Sequence, residues 1–298
     1  MAEGQSGTST ASESSRSQPL STSSSSTPPS TDPPADWIPN LFAPGGAGFA
    51  AVPTTPNTPG GRRWTVPAGK DMNPVGATTW RSAAIYCNWL HNNKSLNRSA
   101  FLGGAYEVST FGYVTLPNGV LSFTDQAARS PGARYFIPTL DEWIKAAHYD
   151  PNKVNSDGSV GGYWTYSNSS DTPYIGAPPS QGGTANFGFD AGAFNIPLGA
   201  YTNVTSPWGL FDVAGGSTEW LETIHTINDG RNYRDFDGSA RTTGIDWGLQ
   251  DSIYEFRDNR PGSASVESGF RIAAAIPAPG TLLVALVTLA AHAHRKRR

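Results

Sequence analysis

The segment Trp208-Gly-Leu-Phe-Asp-Val-Ala-Gly-Gly-Ser-Thr-Glu-Trp220 constrains this chain more than any other stretch. It sets two carboxylates, Asp212 and Glu219, seven positions apart with Gly215 and Gly216 between them. Glycine accepts positive φ, so a tight turn here lets main-chain carbonyls converge where the carboxylates converge. Two anionic oxygens plus the carbonyls of Gly215 and Ser217 make a ligand set suited to calcium, whose oxygen ligands sit at about 2.3–2.6 Å. An acidic turn between two strands is the alternative that spacing alone leaves open.

Local patterning predicts two amphipathic helices of about three turns each. In the first, Trp80, Ala83, Ala84, Cys87 and Leu90–His91 share one face, with Thr79 as N-cap. In the second, Thr139 and Glu142 form a capping box ahead of the stripe Leu140, Trp143, Ile144 and Ala147. Tyr135–Ile137 reads as a strand that Pro138 ends. Further strand-like runs are Tyr163–Tyr166, Gly199–Tyr201 and Phe270–Ala274, joined by Gly/Pro/Asn/Ser loops. Composition alone therefore gives a loop-rich α+β class.

The block 208–220 resembles the "Gly-Leu-Tyr-Asp-Met-x-Gly-Asn-Val-Trp-Glu-Trp" block of the sulfatase-modifying factor family, whose best-known members are formylglycine-generating enzymes. Three further matches follow the family's order. Pro74-Val75 with Thr79-Trp80-Arg-Ser-Ala-Ala-Ile-Tyr-Cys87-Asn-Trp89 is similar to "Pro-Val-x-x-Val-Ser-Trp-x-x-Ala-x-x-Tyr-Cys-x-Trp". Tyr135-Phe-Ile-Pro138-Thr-Leu-Asp-Glu142-Trp143 resembles "Tyr-Arg-Leu-Pro-Thr-Glu-Ala-Glu-Trp", and Gly269-Phe270-Arg271-Ile272-Ala273 resembles the closing "Gly-Phe-Arg-Val-Ala". The resemblance implies an α+β, C-type-lectin-like fold: loop-rich, with small antiparallel sheets and two main helices. It also implies a second calcium loop, in which Asn186, Phe187, Asp190 and Gly192 would supply ligands. An Asx-type turn on Asn186 and Asp190 is the alternative there.

As the resemblance implies, the family's enzymes oxidise a substrate cysteine with copper held by two thiolates. Soft thiolates select Cu(I) over hard cations. The matching positions fall at or near Thr243 and Gly248, and the chain's one cysteine is Cys87 on the first helix's apolar stripe. A free cysteine there reads as core. The sequence therefore assigns no catalytic residue and disfavours copper. Its favoured reading is a non-catalytic, calcium-supported binding module with exposed aromatics drawn from Trp164, Tyr166, Trp208, Trp220, Trp247 and Tyr254. The alternative is a formylglycine-generating oxidoreductase acting on sulfatases. Arg271 is expected to pair with a carboxylate beneath the closing strand.

Three regions follow from composition. Residues 1–36 are Ser, Thr and Pro with few apolar side chains, and are expected to be disordered. Residues 37–275 carry the family-like domain. Residues 276–298 hold a Pro-x-Pro turn, the apolar run Leu282–Ala291 and the basic end Arg295-Lys-Arg-Arg298. A helix over that run is about 15 Å long, short of the roughly 30 Å hydrocarbon core. The tail resembles the PEP-CTERM sorting signal of bacterial exosortase systems, with Ala278 where that motif carries Glu. This implies membrane contact through residues 282–291, exosortase-type machinery as a partner, and a bacterial envelope or extracellular location with an unknown ligand there. A plain hydrophobic tail is the alternative. Residues 1–36 contain no apolar core of a signal peptide, and residues 37–72 lack the family's usual opening, so the true protein is expected to begin differently. A net charge of −3 without a basic stripe before the tail gives no attraction to nucleic acid.

Overall fold

The structure is a computed structural model that describes residues 52–53, 64–66, 68–76, 78–187, 196–238, 251–263 and 268–275. The Ser/Thr/Pro-rich segment 1–36 and the tail 276–298 lie outside the described residues.

In chain order the elements are β1 (Val52–Pro53), β2 (Trp64–Thr65), α1 (Trp80–His91), α2 (Ser99–Leu102), β3 (Tyr113–Thr115), β4 (Leu121–Phe123), β5 (Tyr135–Phe136), α3 (Leu140–His148), β6 (Tyr149–Val154), β7 (Val160–Tyr163), β8 (Thr218–Thr226), β9 (Asn232–Asp237), β10 (Arg257–Asn259), β11 (Ser268–Phe270) and β12 (Ala273–Ala274). The largest sheet has the order β10-β9-β8-β11. Its β8–β9 and β9–β10 pairings are antiparallel, whereas β11 lies parallel to β8 with Gly269 opposite Glu219. The remaining sheets among the described residues are antiparallel strand pairs.

Both predicted helices form with the expected caps. The Thr79 hydroxyl accepts from Ser82 N at 3.0 Å. At α3 the Thr139 hydroxyl accepts from Glu142 N at 3.2 Å, while Glu142 Oε2 accepts from Thr139 N at 2.9 Å. The strand expectations are met in part. Tyr163 ends β7, but Trp164–Tyr166 leave it; Gly199–Tyr201 is a turn; and Phe270–Ala274 is split between β11 and β12. Gly199 sits at φ 76°, which a continuing strand does not accommodate.

β8 is buried on both faces along Thr218–Glu222, and alternation divides the core. Trp220 packs with Trp80, Ala84, Tyr106 and Ile137 on the α1 side. Leu221 packs with Trp143, Ala147 and Val213 on the α3 side. Two polar side chains inside this packing, Asn88 and Glu222, are tied off by several partners. Asn88 lies fully buried in α1: its amide donates to the carbonyls of Phe101 and Tyr106, and its Oδ1 accepts from Ala105 N and Tyr106 N. One side chain thus satisfies four main-chain groups of α2 and the segment after it. Glu222 Oε1 accepts from the Tyr106 hydroxyl at 2.8 Å and from Arg129 N at 2.7 Å. The Arg129 guanidinium spans Glu222 and Glu142 and stacks 3.7 Å from the Phe136 ring centroid.

Asp235 on β9 is a buried acid that is not tied off in this way. It is 2 % exposed, its Oδ1 has no hydrogen-bond partner, and its register partner on β10 is Asp258. Burial, with Asp258 adding to it against the pull of His225 and Arg234, pushes this carboxyl up to about 6. The folded state therefore binds a proton that the unfolded chain has released, and stability falls as pH rises from about 4 through about 6. Asp235→Asn is expected to raise urea-unfolding stability at pH 7 by about 2 kcal/mol, with the gain vanishing below pH 4. An equal gain at both pH values would refute the titration of this residue as the cause.

Candidate functional site

The turn that leads into β8 is built by residues held in the left-handed region. Asp212 sits at φ 52°, Gly215 at 85° and Gly216 at 79°. Gly215 passes so close to a neighbouring segment that a Cβ on it would lie 2.5 Å from Asn186 N, a contact no side chain could relieve. Gly216 N donates to the Asn186 carbonyl at 2.9 Å, closing a parallel bridge between Asn186 and Gly215. The two predicted ligand loops are thus brought side by side: Asn186 and Phe187 from one, Asp212 to Glu219 from the other. Asp190 and Gly192 lie outside the described residues, as do Thr243, Gly248 and Trp247.

The carboxylate of Glu219 is claimed from two directions. Arg271, just past β11, grips it with both arms of its fork: Nη2 donates to Oε1 at 2.6 Å and Nε to Oε2 at 2.9 Å. Trp143 Nε1, from α3, donates to Oε2 at 2.9 Å. Arg271 Nη2 also donates to the carbonyls of Phe211 and Asp212, at 3.3 and 3.2 Å. The adjacent Glu219 charge holds the guanidinium above its ordinary value. The expected pairing of Arg271 with a carboxylate is therefore present, and a cationic group stands at the point where Glu219 and the 211–212 main chain converge.

Asp212 is placed differently. Its Oδ2 accepts from Gly199 N at 2.6 Å, and burial, countered by that bond and by Arg271, raises its carboxyl. Asp212, Ser217, Glu219 and Arg271 line a cavity of about 820 Å³. Its other walls are mainly apolar, with Val75, Tyr86, Leu198, Phe211, Phe270 and Ile272 among them. Tyr86 and Phe270 meet edge to face, their centroids 5.8 Å apart.

The donor sets can be compared with the metals that the sequence resemblance implies. Calcium at Glu219 does not fit this arrangement, because both oxygens already serve Arg271 and one serves Trp143 as well. The Gly215 carbonyl accepts from Ser217 N at 3.0 Å, which turns it into the local turn. Among the described residues no group of three or more His, Cys, Asp and Glu side chains converges as a metal site would need. Copper between two thiolates does not fit a chain whose one cysteine is fully buried in the α1 core. Burial, with Glu222 adding to it, pushes the Cys87 thiol up to about 12.

The aromatic candidates separate. Trp220 and Tyr166 are core residues, and Trp220 Nε1 donates to the Thr78 carbonyl at 2.7 Å. Trp164 is tied to Asp150 through Nε1 and lies beneath Lys153. Trp208 and Tyr254 remain exposed, away from the cavity's walls. Sequence reasoning missed Tyr86, Phe211 and Phe270 as cavity residues. The usable signal was Tyr86, an aromatic off the buried stripe of an otherwise amphipathic helix.

A family model described as sulfatase-modifying factor enzyme 1-like domain matches residues 50–276. Among solved structures, the crystal structure of CarF is 24% identical over 72% of this chain and 72% of that one, with a TM-score of 0.46. Treponema denticola variable protein 1 is 16% identical over 76% of each chain, with a TM-score of 0.41. No curated protein matches.

Arg271→Met removes the cation and leaves a mostly buried carboxylate behind. It is expected to lower unfolding free energy by about 2–3 kcal/mol. Glu219→Gln in the same chain keeps an acceptor for Trp143 and should recover at least 1 kcal/mol of that loss. Additive losses in the double variant would show that the two side chains are not coupled.

Proposed function

Because the chain belongs to the sulfatase-modifying factor enzyme 1-like domain family, we propose that it uses this scaffold as a non-catalytic binding module. The ligand site is the 820 Å³ cavity bounded by the 211–219 turn, α1 and the segment after β11. The observation that carries the reading is the placement of the chain's one sulfur nucleophile. Cys87 has no solvent access, and its thiol is held up at about 12, so thiolate chemistry has no foothold at neutral pH. A mainly apolar cavity with a few polar groups on one wall is the usual form of a small-ligand site.

In this proposal Arg271 supplies the positive charge that the sequence assigned to calcium at Asp212, Gly215, Ser217 and Glu219. The bidentate fork satisfies Glu219 without a metal. The proposal also places the module at the cell envelope, on the strength of the apolar run Leu282–Ala291 and its basic end. Among the described residues no helix is long and apolar enough to cross a membrane.

Two measurements test the reading. Incubated with copper and a cysteine-containing sulfatase peptide, the purified chain should leave the peptide's mass unchanged. Copper-dependent conversion of cysteine to formylglycine would replace the binding module with the oxidoreductase. Thermal unfolding should give the same midpoint in excess calcium and in chelator. Calcium at a hundred times its dissociation constant would add about 2.7 kcal/mol, so a calcium-dependent rise abolished by Asp212→Ala would reinstate the metal.

A further inference from the structure

The charges on the cavity wall do not cancel. Among the described residues that line it, the acidic and basic side chains of the carboxylate and guanidinium type are Asp212, Glu219 and Arg271. Glu219 and Arg271 neutralise each other through two short hydrogen bonds. Asp212 is left as the excess negative charge. One of its oxygens serves Gly199 N; the other accepts no hydrogen bond among the described residues. The carboxylate thus offers one open acceptor in a cavity that aromatic side chains also line. Phe211, its neighbour in sequence, is 42% exposed, and the Tyr86–Phe270 pair also lines the cavity.

An anion entering this space meets Asp212 and finds Arg271 already occupied. A neutral apolar body would fill the volume and leave the charge unanswered. A cation answers it, gains a charge-assisted hydrogen bond at the open oxygen, and shares the cavity with aromatic rings, whose faces attract positive charge. An N–H is needed for that bond, which favours a protonated amine over a quaternary ammonium. On the reading that this cavity is a ligand site, we infer that its occupant is a primary ammonium carried on an apolar body. The ammonium donates to Asp212 Oδ1, and the body lies among Tyr86, Phe211 and Phe270.

Titration calorimetry on the full chain with three probes of matched shape tests this. The probes are 2-phenylethylammonium, the neutral 2-phenylethanol and the anionic 3-phenylpropanoate. The amine should bind at least tenfold more tightly than the alcohol, and the carboxylate more weakly than either. Asp212→Asn should reduce the amine's advantage over the alcohol to less than threefold, and Leu198→Trp, which fills the cavity, should weaken all three. Nuclear Overhauser contacts between the amine's ring and the methyls of Val75 and Ile272 locate the probe even if Asp212→Asn fails to fold. Equal binding of amine and alcohol, with those contacts present, overturns the ammonium and leaves the binding module standing. Absence of binding by all three probes overturns both. An amine advantage that survives in folded Asp212→Asn overturns the role of Asp212.

Discussion

The carboxylate of Glu219 is the junction through which three distant parts of this protein hold one another. It stands at the start of β8, receives Trp143 from α3, and receives both arms of Arg271 from beyond β11. Without that junction the parallel strand β11 would rest on β8 through only the Ser268–Phe270 register. A three-residue strand is short by any standard, and a side chain that reaches across fixes where it sits. A buried ion pair is weak evidence of stability in general, because desolvation offsets attraction. Here the fork geometry and a third donor satisfy the acid's oxygens, which is the condition under which such a pair holds.

The same logic extends along β8. Alternation sends Glu219 and Leu221 toward α3, and Trp220 and Glu222 toward α1 and Tyr106. Each face therefore buries one acid and one large apolar residue, and each acid meets an arginine. Arg234 on β9 shows the converse. It is fully buried, lies 3.8 Å from the Trp80 ring centroid, and donates to the carbonyls of Ala127, Gln126 and Glu222. Burial draws this guanidinium down to about 10, and it is still charged at neutral pH. Irregular loops are held to the sheet by such side chains, since the loops' own main-chain groups cannot pair with a strand.

What could be read from the sequence follows from the range of each signal. The caps of α1 and α3 were legible because a hydroxyl three residues from its partner is a local pattern. Strands of two or three residues show no alternation to read, so Trp164–Tyr166 and Gly199–Tyr201 were mistaken for strand; the six residues of β9 went unread because their burial does not alternate. The 211–219 turn was legible through its glycines, and Asp212 and Glu219 do flank one cavity. Their partners were not: Glu219 and Arg271 are 52 positions apart, and Tyr106 and Glu222 are 116. No spacing rule reaches that far. Arg271 was assigned a carboxylate partner on chemistry alone, and only the fold identifies that partner as Glu219.

Main-chain bridging to Asn186 explains why the glycines of the turn are needed, with or without a metal. Gly215 must pass within contact distance of the Asn186 main chain, and Gly216 must turn its N–H onto the Asn186 carbonyl. Those demands come from main-chain bridging, and they hold whether or not a cation is present. The turn's geometry therefore does not depend on its ligand-binding potential, and the role of the acid at Asp212 is separable from that of the acid at Glu219. Two carboxylates that sequence spacing joins into one site do line one cavity, but the fold divides their work: Glu219 is gripped by Arg271 and Trp143 to hold the sheet, and Asp212 is held, among the described residues, only by Gly199 N.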